Sequence, residues 1–371
     1  MSNKKRIVIA STLKPADDIR SFRKIGVSLG KTNNYDVKIL GAGGKVTSTF
    51  SNVTLMPFGA VARLSLRRIL LPFIILRKVL SQKPHLLIIE THELLIPAVI
   101  IRLLQPRCKL VYDVRENYAA NILSQQVFKG PVKFLLAGWV RFKERICMPF
   151  IRHLFIAEAG YLAEYPLLRR HAHTVLQNKS LTLEQRENQS KEQPINFIFT
   201  GNLSVNSGVE KAIECFKKLI GHYSEIKLLI VGHSPSAAFL RKLKKQISTT
   251  PQITLVGGNE PVDHSVIAAH ISHADIGFVT YQVNDSNRNC MPTKVFEYLT
   301  VGLPIICEKG TAWFQLGNQN GMAFPLNEAM KNPKNLPVWY QSISYEYERT
   351  DFNWDAEEQK LIKSVDQLLH Q

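Results

Sequence analysis

Residues 197–208 read FIFTGNLSVNSG, an apolar run that stops at Gly201, and after Gly208 the chain enters the helical pattern VEKAIECFKKL. A strand, a tight turn and a helix start in that order make a place to hold a phosphate, because unpaired backbone N–H groups point at the anion. The turn from Gly201 to Gly208 has no Lys or Arg, although the chain carries a formal net charge of +17. Backbone amides bind phosphate without side-chain charge, and the missing cations have a second source. In NRNCMPTKVFE (287–297) a turn leads through Pro292 and Thr293 into another helix start, with Arg288 and Lys294 beside it. Proline just inside a helix start is favourable, whereas the helix dipole disfavours a first-turn lysine, which points to a functional Lys294. In the first half, THEL (91–94) and DVREN (113–117) both follow strand-like runs. There Glu93, Asp113 and Glu116 are candidate bases or hydroxyl ligands, and His92 is equally a candidate or a structural histidine.

Positioning these residues requires an α/β framework. RIVIA (6–10), VKIL (37–40), LLIIE (86–90), KLVYD (109–113) and HLFIA (153–157) are short apolar runs with polar or Gly/Pro borders, and they read as buried strands. The pattern restarts with NFIFTG (196–201), IKLLIVG (226–232), ITLVGG (253–258), DIGFVTY (275–281) and LPIIC (303–307). Strands alternating with helical segments imply parallel sheets covered on both faces. The polar stretch 178–194 separates the two halves as a linker. The domains expected are therefore 1–177, with an amphipathic C-terminal helix over 354–371 added to it, and 195–353. Two such α/β units suggest a cleft, with ligands at the carboxyl ends of the strands.

The charge is uneven. Residues 1–177 hold 28 Lys+Arg against 10 Asp+Glu, net +18; residues 178–371 hold 19 against 20, net −1. A basic half attracts anionic partners. RLSLRRILLPFIILRKVL (63–80), with Arg63, Arg67, Arg77 and Lys78 and an expected kink or break at Pro72, is one segment suited to an anionic membrane surface. FKGPVKFLLAGWVRFKERI (128–146), with Lys133, Trp139, Arg141, Lys143 and Arg145, is a second. Nucleic acid is not expected, because no basic/aromatic interleaving or zinc spacing is present. Five scattered cysteines without a CxxC read as reduced structural thiols. The N-terminus has no long apolar run, so no signal peptide is expected. The motifs HExxH, GxxxxGK[ST] and GxSxG are absent, which argues against zinc proteases, P-loop enzymes and α/β-hydrolases.

NRNCMPTKVFEYLTVGLPII (287–306), TGNLSVNSGVEKAIECFKKL (200–219) and IKLLIVGHSP (226–235) match, in order and spacing, the glycosyltransferases of the GT-B fold. The chain most closely resembles the large family 4 of nucleotide-sugar-dependent enzymes. The resemblance spans nearly the whole chain and is looser in the first half, where 88–100 and 109–118 fall at the family's acceptor-side loops. It implies two Rossmann-like domains facing a cleft. It also implies a nucleotide-sugar donor as co-substrate, no cofactor, and Gly232 within the donor site. By the same resemblance Glu297 would bind the ribose hydroxyls; the alternative is a glutamate that only caps its helix.

Four positions depart from the family pattern. Asn202 and Ser207 stand where many members have a diphosphate-gripping Arg and Lys. Asn289 stands where the first of two glutamates is usual. Arg115 stands where a histidine is often found, and it would bind developing negative charge rather than act as a base. The absence of Asp-x-Asp fits a metal-independent GT-B enzyme. The function implied is transfer of a sugar to a lipid-linked or oligosaccharide acceptor in capsule, lipopolysaccharide or other surface polysaccharide synthesis. The expected location is cytoplasmic, peripheral on the inner face of the membrane. The alternative kept open is a non-catalytic subunit of a glycan assembly complex.

Overall fold

The computed structural model describes residues 4–43, 50–59, 61, 65–124, 130–181, 195–223, 225–284, 287–288, 290–344 and 349–370. Two compact units divide the chain: residues 1–178 with 356–371, and residues 179–355.

The first unit is built on seven parallel strands: β1 (Lys5–Pro15), β2 (Tyr35–Ala42), β3 (Val53–Pro57), β4 (Leu86–Ile89), β5 (Lys109–Val114), β6 (His153–Ile156) and β7 (His173–Val175). Their order is β3-β2-β1-β4-β5-β6-β7. Between them run α1 (Val27–Lys31), α2 (Leu66–Gln82), α3 (Leu95–Leu104), α4 (Tyr118–Ser124), α5 (Val132–Cys147), α6 (Tyr161–Glu164) and α7 (Pro166–Arg169), with a π-type helical stretch over Ile19–Gly26. The strand interiors are apolar and fully buried: Ile7, Val8 and Ile9 on β1 and Leu86–Ile89 on β4. That is why these runs show no polar alternation.

The second unit has six parallel strands: β8 (Asn196–Asn202), β9 (Lys227–His233), β10 (Ile253–Gly258), β11 (Ile276–Val279), β12 (Ile305–Cys307) and β13 (Ala323–Pro325). They run in the order β10-β9-β8-β11-β12-β13. Its helices are α8 (Val209–Ile220), α9 (Ala237–Ile247), α10 (His264–Ser272), α11 (Thr293–Thr300), α12 (Ala312–Gln319), α13 (Leu326–Lys331) and α14 (Asn335–Gln341). The last helix, α15 (Asp355–His370), returns to the first unit. It buries Leu361, Val365 and Leu368, each adding about 1.5–3 kcal/mol. Ser364 Oγ and Thr174 Oγ1 lie 2.9 Å apart, and Glu357 accepts from the Gln177 N–H at 3.1 Å.

Both sheets reverse their strand order beside the first strand of the unit, between β1 and β4 and between β8 and β11. In doubly wound sheets ligands bind at the carboxyl ends of strands at such points. Those ends carry Glu90 to Glu93 in the first unit and Gly201 to Gly208 in the second.

All ten strands expected from sequence are present, and β3, β7 and β13 are additional edge strands. The expected break at Pro72 does not occur, because α2 runs through it. Leu71, Ile75 and Val79 bury one face of α2, and that packing holds the helix across one missing N–H. The two basic segments differ from one another. Arg67 and Arg77 are exposed, whereas Lys143 is buried and Arg141 pairs with Glu144 at 3.0 Å. Arg63, residues 128–129 and linker positions 182–194 lie outside the described residues. Among the described residues no helix is long and apolar enough to cross a membrane.

Candidate functional site

In the second unit the phosphate-loop geometry rests on glycine. Gly201 ends the β8 run at φ +105°, and Gly208 precedes α8 at φ +74°. A Cβ at Gly208 would fall 1.6 Å from the Thr280 carbonyl oxygen, and one at Gly232 would fall 1.8 Å from that of Gly201. Only glycine lets these three strand ends approach so closely. Thr280 Oγ1 donates to the Gly208 carbonyl at 2.8 Å and fixes the turn to the end of β11. Ser207 is buried and engaged within the loop: its Oγ donates to the Ser204 carbonyl at 2.8 Å and accepts from the Ser204 N–H at 3.0 Å. Asn202 is exposed at the strand end.

Against this turn stands the first turn of α11. Pro292 is its N-cap, with φ −61° and ψ 135°, one position earlier than the sequence suggests, and Thr293 opens the helix. Tyr298 locks α11 to β8: its hydroxyl lies 2.9 Å from Thr200 Oγ1 and accepts from the Thr200 N–H at 3.1 Å. Lys294 therefore points inward. A Cβ on Gly201 would sit 3.9 Å from its Nζ. The ammonium lies 4.0 Å from the Phe199 ring centre and 4.9 Å from that of Tyr281, and among the described residues it is buried without a hydrogen-bond partner. Burial lowers its pKa to about 7, with Glu297 acting in the opposite sense. A buried cation set against two aromatic faces is suited to an anion that arrives from solution.

One turn further along α11, Glu297 is buried and its Oε1 is 3.0 Å from His264 Nε2, at the start of α10. Among the described residues Oε2 has no partner. His264 was not singled out from the sequence, where nothing marks it among eleven histidines. Arg288 is exposed, and its carbonyl accepts from the Ala312 N–H at 3.0 Å. Among the described contacts, none joins its side chain to Gly201, Lys294 or Glu297. Asn289 lies outside the described residues.

In the first unit the candidates divide into two linked groups. Asp113 is fully buried and accepts from Arg20 Nε at 2.8 Å and Arg20 Nη2 at 2.7 Å. Both oxygens are engaged by one buried guanidinium, an ion pair that ties β5 to the helical stretch Ile19–Gly26. Arg115 Nη2 donates to Asp18 at 2.8 Å and Nη1 to Glu90 at 3.2 Å. Glu90 also accepts from Ser21 Oγ at 2.6 Å. Burial raises the Glu90 pKa to about 6, with Arg115 opposing. Asp18 is lowered despite burial because of Arg115.

Glu93 accepts from Arg68 at 2.8 and 3.0 Å and from Thr12 Oγ1. Lys143 Nζ donates to His92 Nδ1 at 2.9 Å. Burial and that ammonium lower the His92 pKa to about 4, so the ring is neutral at pH 7 with its proton on Nε2. His92 is thus a hydrogen-bond donor rather than a base. Glu116 is half-exposed, 3.3 Å from Lys14 Nζ. Asp18, Glu90, Arg68 and Lys143 were missed from sequence. Glu90 was legible as the polar end of the apolar run LLIIE; Lys143 read as one more charge on a basic helix.

Residues 182–313 match the family described as glycosyl transferases group 1. Among solved structures, the chain is similar to sucrose-phosphate synthase from Thermosynechococcus elongatus, with a TM-score of 0.74 at 14% identity over 99% of this chain and 100% of that one. It is also similar to HepE of Anabaena in complex with UDP and glucose, with a TM-score of 0.67 at 12% identity over 98% and 100% of the two chains. A third is trehalose 6-phosphate synthase from Burkholderia multivorans, with a TM-score of 0.62 at 11% identity over 99% and 98%. No curated protein matches the sequence. The family match thus covers about a third of the chain, and the chain as a whole shares the fold of these solved glycosyltransferase structures.

Proposed function

We propose that the protein transfers a sugar from a nucleotide diphosphate donor to a lipid-linked or growing glycan acceptor, in surface polysaccharide assembly at the inner face of the cell membrane. The observation that carries the donor reading is Lys294, a buried ammonium beside the Gly201 backbone that has no hydrogen-bond partner among the described residues. The donor diphosphate would lie between that ammonium and the N–H groups of the glycine turn and the α11 start. Glu297, held through Oε1 by His264, would take the ribose hydroxyls on Oε2. Charge neutralisation by Lys294 and backbone dipoles supports a metal-independent reaction. In the first unit, Arg115 would stabilise negative charge and the His92 Nε2–H would donate to an acceptor oxygen.

The membrane and lipid-linked part of the reading is supported by the net +18 of residues 1–177 and by the exposed apolar residues of α5, among them Leu135, Trp139 and Phe142. A second reading, a binding subunit without turnover, is favoured by one observation: Asp113 and Glu93 are both engaged in ion pairs.

Titration of the purified protein with a panel of nucleotide sugars by calorimetry, with and without EDTA, tests the proposal. UDP-sugars come first because HepE is bound to UDP-glucose. Binding of one donor that EDTA does not change, followed by donor turnover with acceptor, is the expected result. Donor binding without turnover on any acceptor would leave the binding-subunit reading, and no binding to any donor would overturn both.

A further inference from the structure

The first unit has a second basic cavity, away from the strand ends that carry Glu90 and Arg115. It measures about 660 Å3, and Arg102, Lys109, Arg152, His171 and Phe150 are among the residues that line it. Lys109 opens β5 and Arg152 directly precedes β6, so the cavity lies at the amino edge of the sheet. The length of β5 separates it from the Arg115 loop, roughly 17 Å at a strand rise of about 3.3 Å per residue. No Asp or Glu is among its lining residues. Lys109 Nζ donates to the Leu368 carbonyl at the end of α15. Burial first, then Arg152 and Lys5, push the Lys109 pKa below its ordinary value. An anion in the cavity would relieve that crowding of cations.

The surroundings of the cavity are apolar and exposed. On α5, Leu135, Trp139, Phe142 and Ile146 recur at helical spacing and are 73, 50, 52 and 44% exposed. Such a stripe faces one side of a helix. α5 runs on through a short 3-10 turn to Phe150, which lines the cavity and is itself exposed. Leu103 and Leu104 are exposed directly after Arg102 on α3. Large apolar patches left in water commonly mark interaction surfaces. An apolar stripe that ends at a cluster of cations has the pattern of an amphiphile, hydrocarbon on one side and phosphate on the other.

We propose that this cavity binds the phosphate headgroup of an anionic phospholipid while the exposed stripe of α5 lies in the membrane interface. The inference rests on the membrane-facing part of the function proposed above and not on sugar transfer. The test is co-sedimentation of the full chain with phosphatidylcholine vesicles, with and without phosphatidylglycerol. Binding is expected with the anionic lipid. In the double variant Arg102→Gln/Arg152→Gln it should fall by about thirty-fold, at about 1 kcal/mol per cation near the surface.

The control Arg67→Gln/Arg77→Gln removes the same charge from α2 and should cost only a few-fold. Equal losses in the two double variants would mean diffuse attraction and overturn the cavity assignment. A separate variant, Trp139→Ser/Phe142→Ser, changes only exposed side chains and should lose more than tenfold of vesicle binding; unchanged binding would overturn the stripe. Calorimetric binding of glycerol 3-phosphate to the wild type, lost in Arg102→Gln/Arg152→Gln and unaccompanied by vesicle binding, would assign the cavity to a soluble phosphate instead. Donor titration of the same variants should be unchanged, so failure of the sugar-transfer reading leaves this test intact.

Discussion

In the first unit Asp113 meets Arg20 with two hydrogen bonds and Arg115 lies between Asp18 and Glu90; in the second, Lys294 is also buried but among the described residues has no hydrogen-bond partner. The two regions occupy the same place in their sheets, where the strand order reverses. A buried ion pair with satisfied geometry holds loops in place, and removing one partner leaves an uncompensated charge. A buried cation without a partner costs free energy in the empty protein, and a ligand that supplies the counter-charge recovers it. The paired network therefore reads as scaffold for the loops after β1, β4 and β5. The unpaired lysine reads as a site prepared for an anion.

The largest expected effect falls on the paired side. Asp113→Ala should destabilise the protein by about 3–5 kcal/mol, because Arg20 would remain buried without its counter-charge, bonded to the Leu176 carbonyl. Urea unfolding measures it, and a loss under about 1 kcal/mol would mean that the pair is not the anchor described. Lys294→Met should act in the opposite direction on stability. It should raise stability by about 1–3 kcal/mol, as replacement of a buried polar site by an apolar side chain does. It should weaken donor binding by about 100-fold, the equivalent of a charge-assisted contact. If Lys294→Met lost stability and kept donor affinity, the comparison would be reversed. Glu297→Gln should cost about tenfold in donor affinity, since a neutral amide still reaches the hydroxyls but accepts more weakly. Calorimetry with the best donor checks both variants.

Much of this was legible in the sequence, for identifiable reasons. Most of the ten strands expected from sequence are apolar runs, and the central ones such as β1, β4 and β11 are buried on both faces, so they stand out. β7 and β13 are three residues each, and β3 is an edge strand that mixes Val53 and Leu55 with Thr54, so none rose above its surroundings. Lys294 and Glu297 could be found because a first-turn lysine and a glutamate one turn later are local patterns. Their environment could not be. The pairing of Asp113 with Arg20 joins residues 93 apart, and that of Lys143 with His92 joins residues 51 apart. No spacing rule reaches so far, so Asp113 looked like a base and Lys143 like a surface charge. The basic half was legible as charge, but the exposed stripe on α5 was not. It depends on which helix face the sheet leaves uncovered.

The smallest effect separates the two regions by pH alone. Lys294 has a folded pKa of about 7 against an ordinary 10.5, so between those values the unfolded chain binds more protons and stability rises with pH. Glu90 has a folded pKa of about 6 against an ordinary 4.5, so between those values the folded chain binds more protons and stability falls as pH rises. The two windows do not overlap. Single variants isolate them: Lys294→Met should flatten the alkaline rise, and Glu90→Gln the acid-side fall. Donor binding adds a second readout. A diphosphate beside Lys294 favours the ammonium, so binding above pH about 7 should take up a proton, and affinity should decline as pH rises. Calorimetric enthalpies in buffers of different ionisation heat measure that uptake. Proton uptake that survives in Lys294→Met would place the titrating group elsewhere; uptake that vanishes there would tie the donor phosphate to the one buried ammonium described without a hydrogen-bond partner.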